Sequence, residues 1–298
     1  MFRELNTLIN NELPEQDLDN FSVIIGSNPS QGARSPILWN KVYKEEKKNT
    51  LMLPLDVSED RLLDLITLLQ ENKSCLGGAI AVPFKEKIFA LLKKNLPKDI
   101  TDIGAINCFY REKDSENFFT GTNTDGEASL ESISKILEGT KNKNIHLIGF
   151  GGAGKAILAF LVKKFNTTHS IKVFNRSIPS NVSKTSRSNL FHKLEDFKNF
   201  SGQSDIIINA TTLGAESLSE KTPIEKSTLE SCSPMTVVFD IIYNPIKTKL
   251  LQEAESLGLR TINGLRMNLI QAVLAYSYTN NTDLSPERIF EIMSSNKD

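Results

Sequence analysis

Residues His146–Phe160 read HLIGFGGAGKAILAF, and the run GFGGAGK inside them fits two phosphate-binding patterns at once. As G-x-G-x-x-G, Gly149, Gly151 and Gly154 suit a dinucleotide pyrophosphate; as G-x-x-x-x-G-K, the run is almost a triphosphate loop with Lys155 toward the β- and γ-phosphates. Three neighbouring features separate the two. A triphosphate loop needs Ser or Thr after its lysine to hold magnesium, and Ala156 stands there. The run follows an apolar strand-like stretch and opens an apolar-faced helix through Gly152 and Ala153, the setting in which a helix N-terminus meets a pyrophosphate. The next apolar stretch, SIKVF, ends in Asn175-Arg176-Ser177 and not in an acid. A carboxylate there would grip the ribose 2′-hydroxyl of NAD and repel a phosphate, whereas Arg176 favours the 2′-phosphate of NADP. The triphosphate reading fails, a ligand-free glycine turn is the weaker alternative, and Lys155 becomes a surface lysine on the first helical turn.

Working outward, strand and helix signals alternate. FSVII, TLMLPL, GGAIAV, GAINCFYRE and NFFTGT read as strands; SPILWNKVYKEE, with Pro36 in its first turn, and PFKEKIFALLKKN read as helices. SEDRLLDLITLLQEN predicts a helix capped by Ser58, with Glu59 and Asp60 at its positive end and Leu62, Leu65, Ile66 and Leu69 on one face. Beyond it GEASLESISKILEG predicts a helix before the glycine strand, and DIIINATT and TVVFDIIYNP add apolar strands ending in polar residues. Between Ser177 and Ser204 only SNLFHKLEDFKNF suggests a helix, weakly. GLRMNLIQAVLAYSYTN and SPERIFEIM read as amphipathic helices returning to the first domain. The fold class expected is α/β in two domains separated by a cleft: a mostly parallel substrate domain (1–124 with 260–298) and a Rossmann domain (125–259).

A chain of 298 residues with 39% hydrophobic and 24% charged residues is long enough for two cores and ordinary in composition. A formal charge of −1 offers no basic field for nucleic acid. No run reaches the roughly 18 apolar residues of a membrane span, and the polar first twenty residues lack a signal-peptide pattern. Cys75, Cys108 and Cys232, odd in number and widely spaced, fit reduced thiols in a cytoplasm. His146, His169 and His192 lack metal-ligand spacing, so no metal is expected.

Nine pieces then stand in order from Phe21 to Gln271: NPSQGARSP, AVPFKE, GAINC, GTNTDGE, GFGGAGKA, FNRS, INATTLG, DIIYNPIKTKLL and NGLRMNLIQA. In this order they resemble the shikimate dehydrogenases, NADP-dependent enzymes that interconvert 3-dehydroshikimate and shikimate in aromatic amino acid biosynthesis. The resemblance implies a catalytic lysine at Lys85 and its aspartate partner at Asp125. It also implies substrate contacts at Ser35, Asn107, Tyr243 and Gln271, and a cofactor-lining loop at Asn209, Ala210 and Thr211, with Gly264 near the cofactor. That assignment fits the chemistry, because hydride transfer to a ketone leaves negative charge on oxygen that an ammonium can stabilise and protonate.

The chain departs from the family pattern at one job. Ala33 replaces the first serine of S-x-S-P, and Ala81 stands where a threonine is expected; both hydroxyls would serve the substrate carboxylate. Losing one hydrogen bond to a charged group costs about 1.5–3 kcal/mol, so compensation, a changed substrate or weak activity is expected. Arg34, Arg266 or a backbone N–H of SQGARS are candidate replacements. Asn268 replaces a usual leucine, and Ser180 follows Arg176 where a second basic residue is expected, with Lys184 and Arg187 nearby. The sequence therefore predicts an NADP-dependent reductase of 3-dehydroshikimate, monomeric or homodimeric, cytoplasmic, with no nucleic acid or membrane partner. The alternatives are a paralogue acting on quinate, aminoshikimate or another ring hydroxy acid, and a non-catalytic NADP-binding regulatory protein.

Overall fold

The apolar runs and the stretches between them fold as alternating strands and helices in a computed structural model that describes residues 2–112, 115–165, 167–179 and 188–295. By internal contacts the chain divides into Met1–Thr124 with Leu269–Asp298, and Asp125–Asn268. The first stretch carries α1 (Phe2–Leu8), β1 (Asn20–Gly26), α2 (Arg34–Glu45), β2 (Thr50–Asp56), α3 (Leu62–Glu71), β3 (Cys75–Ile80), α4 (Lys85–Leu92), α5 (Lys98–Ile103), β4 (Cys108–Glu112) and β5 (Ser115–Thr122). Next come α6 (Asp125–Leu137), β6 (Asn144–Ile148), α7 (Gly152–Phe165), β7 (Ser170–Asn175), β8 (Phe191–Lys193) and β9 (Ile206–Asn209). The chain continues through α8 (Lys226–Leu229), β10 (Val237–Asp240), α9 (Lys249–Ser256), β11 (Arg260–Ile262), α10 (Leu265–Thr279) and α11 (Pro286–Ser294).

The first unit holds a five-stranded sheet in the order β2-β1-β3-β4-β5. β1 runs parallel to β2 and β3, where helices return the chain, whereas β4 is antiparallel to β3 and β5. The two-residue alternation of β1 sends Phe21, Val23 and Ile25 into a core shared with α1, α3 and α4, and Ile24 into a second core beneath α2, α10 and α11. Leu62, Leu65, Ile66 and Leu69 are buried as expected. Ser58 makes no helix-capping bond: a 3₁₀ turn, Glu59–Arg61, precedes α3, and the Ser58 hydroxyl bonds Asp60 instead.

The first twenty residues have a structural task. Phe2, Leu5, Ile9 and Leu13 join the core against α3, and Asn10 and Asn11 bond the open side of edge strand β2. Asn10 N donates to Asp56 O at 2.7 Å, Asn11 Nδ2 to Pro54 O at 3.0 Å, and Asn11 Oδ1 accepts from Asp56 N at 2.8 Å. An otherwise bare strand edge is thereby satisfied.

The second unit is a six-stranded sheet, β11-β10-β9-β6-β7-β8, parallel throughout. Read from β8 this is the doubly wound order 3-2-1-4-5-6, whose ligand crevice opens where the order reverses, at the C-terminal ends of β6 and β9. Two expectations change here. Residues 260–268 belong to this unit, because β11 pairs with β10 and Gly264 N donates to Ile242 O at 3.0 Å; the first unit resumes at Leu269, inside α10. SNLFHKLEDFKNF is not one α-helix: Phe191–Lys193 extends the sheet beside β7, with 3₁₀ helices Ser188–Leu190 and Leu194–Asn199 before and after it, and Phe191 and Phe197 are buried.

Helix α10 also differs from expectation in having apolar residues round its circumference instead of one stripe. From Leu269 onward it is packed on several sides: Ala272, Val273, Ala275 and Tyr276 are buried with residues of α2 and α11. Trp39 Nε1 donates to Ala272 O at 3.2 Å, and the Trp39 and Tyr276 rings meet edge to face at 5.3 Å. Among the described residues, no helix is long and apolar enough to cross a membrane.

Candidate active site

In the first unit the chemistry-bearing residues gather where β1 and β3 end and β4 begins. Asn107 O accepts from Ile80 N at 2.8 Å, and Lys85 O accepts from Ile106 N at 3.1 Å, so the first residue of α4 lies alongside this junction. Lys85 itself is half-buried. Asn107, 2% exposed, is the centre of a polar cluster. Its Nδ2 donates to Thr124 Oγ1 at 2.9 Å and to Gln271 Oε1 at 3.3 Å, while its Oδ1 accepts from Thr124 N at 2.8 Å. Thr124 Oγ1 donates to Gln271 O at 3.1 Å. Asn107 and Gln271, 164 residues apart, are thus brought together, with Thr124 between them.

The loop before α2 is anchored by Asp56 at the end of β2, which accepts from Ser30 N at 2.8 Å and Ser30 Oγ at 2.5 Å. Ser35 is buried in the first turn of α2. Ala33 is the N-cap of that helix and gives it no side-chain bond. Ala33 and Ala81 both pack against the apolar cluster of Ile24, Trp39 and Ala272.

In the second unit Asp125 opens α6 and is 4% exposed, a carboxylate at the positive end of a helix dipole. The glycine run is a backbone cradle. Gly149 has φ +95°, and a Cβ there would meet Thr211 Cγ2 at 2.7 Å; one on Gly154 would meet Gly149 O at 2.3 Å. Gly151 faces open space, and Gly152 and Ala153 begin α7, which directs the helix N-terminus outward. Asn175 Oδ1 accepts from Phe150 N at 3.2 Å and Asn175 Nδ2 donates to Ser177 O at 2.8 Å, so this residue braces the glycine run and the turn carrying Arg176. These residues fit a dinucleotide: bare backbone for the pyrophosphate, and an exposed arginine where a 2′-phosphate would lie. Lys155 lies 5.9 Å from the Phe150 ring centroid.

The loop after β9 is shaped by its own side chain. Asn209 Oδ1 accepts from Thr211 N at 2.9 Å and Thr211 Oγ1 at 2.8 Å, and Ala210 N donates to Ile148 O at 2.8 Å. Asp240, 0% exposed, accepts from Asn209 Nδ2 at 3.1 Å, Ile242 N at 3.1 Å and Thr248 Oγ1 at 2.7 Å. Burial pushes its carboxyl up to about 6. One carboxylate therefore ties the β9 loop, the segment leading to half-buried Tyr243, and the start of α9. Gly264 must lack a side chain, since a Cβ would fall 1.9 Å from Ile241 O.

Residues 24–109 match the shikimate dehydrogenase substrate binding domain, and residues 131–266 match the shikimate / quinate 5-dehydrogenase family. A shikimate dehydrogenase (NADP(+)) of Methanocaldococcus jannaschii is 32% identical over 257 residues, 84% of this chain and 87% of that protein. One from Methanococcus maripaludis is 34% identical over 260 residues, covering 84% and 88%. The chain belongs to the shikimate dehydrogenase family. A crystal structure of a shikimate dehydrogenase in complex with NADP+ superposes with a TM-score of 0.75 at 26% identity, covering 92% of this chain and 94% of that one.

The departures from the shikimate dehydrogenase pattern and the replacement groups named from sequence fall at separate places. Arg266 lies 3.3 Å from Glu131, both more than half exposed. Arg34 is half-buried in the first turn of α2, and Asn268 N bonds Gly264 O at 2.8 Å. Ser180, Lys184 and Arg187 lie outside the described residues. The histidines are packing groups: His146 is 1% exposed, 2.7 Å from Ser204 Oγ, and burial pushes it down to about 4. Burial pushes the Cys75 and Cys108 thiols up to about 12. Sequence reasoning missed Thr124 and Asp240. Both lay inside quoted motifs, GTNTDGE and DIIYNP, beside residues that drew attention first.

Proposed function

We propose that this shikimate dehydrogenase family member is an NADP-dependent oxidoreductase that reduces 3-dehydroshikimate to shikimate. The observation that carries the reading is the pair of structures built within single units: the Asn107–Thr124–Gln271 cluster, made for ring hydroxyls, and the glycine cradle followed by Arg176. When bound, NADPH supplies the hydride. Gly149, Gly151 and Gly154 admit the pyrophosphate to bare backbone, and Arg176 matches the 2′-phosphate. Asn107 and Gln271 orient the hydroxyls, each already held by a neighbour and so pre-positioned. A lysine ammonium can stabilise the developing alkoxide and deliver its proton from Nζ, the role the family pattern gives Lys85, with Asp125 assigned as the catalytic carboxylate. These roles rest on the family resemblance.

Ala33 and Ala81 favour a second reading, in which the substrate is another ring hydroxy acid such as quinate or an aminoshikimate. Both present methyl groups, packed on an apolar cluster, where the family carries hydroxyls. A panel of ring acids assayed with NADP and NAD separates the readings: shikimate turned over fastest supports the first, a related acid the second. Lys85→Ala should abolish turnover and leave NADP binding intact; retained turnover removes Lys85 from the chemistry.

A further inference from the structure

The second unit contains a cavity of about 560 Å³ whose lining includes Arg176, Lys193, Lys198, Glu195 and Glu225, with Phe197 and Ile224 as its apolar wall. Small-molecule sites commonly fall between about 300 and 1,000 Å³. Three cations converge on it from separate elements. Arg176 follows β7, Lys193 ends β8, and Lys198 lies on the 3₁₀ turn beyond.

Register puts Lys193 directly beside Asn175, the residue that braces the glycine run. Neighbouring strands lie about 4.8 Å apart, so a lysine at that position reaches the space above the end of β7. The apolar wall is firm: Ile224 is 4% and Phe197 2% exposed. Glu195 and Glu225 leave a net charge of +1 from the three cations and two carboxylates of the lining. Lys193 is paired with Glu195 at 3.2 Å, but the two are 60% and 73% exposed. Such a pair is weak and readily exchanged for a phosphate dianion.

We propose that Lys193, supported by Lys198, supplies the further cations that select the adenosine 2′-phosphate, and that the pocket they line with Arg176 receives the adenosine end of the dinucleotide. Selectivity for NADP would then come partly from β8, a strand that the sequence alone presents as a weak helix. The inference rests on the NADP reading above. It adds residues that neither the glycine motif nor the Asn175-Arg176-Ser177 turn contains.

The test is binding without turnover. Calorimetry compares adenosine 2′,5′-bisphosphate with adenosine 5′-monophosphate on the full chain, for wild type, Lys193→Ala, Lys193→Arg and Lys193→Ala with Lys198→Ala. Each lost lysine should weaken the bisphosphate about five- to tenfold and leave the monophosphate unchanged, while Lys193→Arg retains most of the affinity. Equal losses for both ligands, no loss for the bisphosphate, or a wild type that does not distinguish them would overturn the proposal. Shikimate turnover is scored separately. Lysine-dependent bisphosphate binding without turnover sinks the proposed reaction and leaves this pocket standing; turnover with NADP and no lysine dependence does the reverse.

Discussion

Replacing Asp240 with Asn should remove a pH-dependent penalty on folding. Asp240 is 0% exposed, and its three hydrogen bonds come from the neutral donors Asn209, Ile242 and Thr248. Burial raises its pKa from 3.8 to about 6. With 1.36 kcal/mol per unit, that rise corresponds to about 3 kcal/mol. The sign follows from linkage: a carboxyl with a raised folded pKa binds protons more tightly when folded. Its stabilising effect is complete below the unfolded value near 4 and lost as pH rises through about 6. Above that, the native state carries a buried charge at a cost of about 3 kcal/mol.

Asp240→Asn stays neutral throughout. Its amide oxygen keeps the bonds from Ile242 N and Asn209, and the Thr248 hydroxyl turns to accept from the new amide N–H. Urea unfolding of both proteins at about pH 4 and about pH 7.5 should show the stability difference moving by about 2 kcal/mol in favour of Asn at the higher pH, since part of the change already lies below pH 4. Groups common to both chains cancel. Asp240→Ala serves as contrast: it strands three donors and should lose at least about 3 kcal/mol at the lower pH, with the loss shrinking at the higher pH because it too removes the titrating group. A wild-type-minus-Asn difference that does not change with pH would refute titration of Asp240 in this range.

Gly154→Ala should cost about 1–3 kcal/mol of stability and weaken dinucleotide binding, because the new methyl meets Gly149 O at 2.3 Å; thermal unfolding and NADP titration read the two effects. Ala33→Ser should stabilise the protein by about 1 kcal/mol, since α2 lacks a side-chain N-cap bond, and this gain is independent of substrate. Combined with Ala81→Thr it should raise kcat/KM for shikimate if the missing hydroxyls limit carboxylate binding; no gain would point to a pocket rebuilt for another acid.

The sequence by itself determined the strand–helix alternation and the dinucleotide character of the glycine run. These are local properties: β-branched runs, helical periodicity, and an absent Cβ wherever backbone must pass close to backbone or ligand. The resemblance of GAINC and NGLRMNLIQA to the family pattern also reached Asn107 and Gln271 as candidates. It could not show that Thr124 joins them, because the partners lie up to 164 residues apart and meet only when α10 packs onto the first sheet. Phe191–Lys193 illustrates the opposite limit. Its own spacing suits a weak helix, yet pairing with β7 satisfies its backbone and buries Phe191, so tertiary hydrogen bonding outweighs intrinsic preference. Asp240 belongs with it: an aspartate in sequence, it becomes a buried junction only where the ends of β9 and β10 and the start of α9 converge, and burial alone gives it its altered acidity.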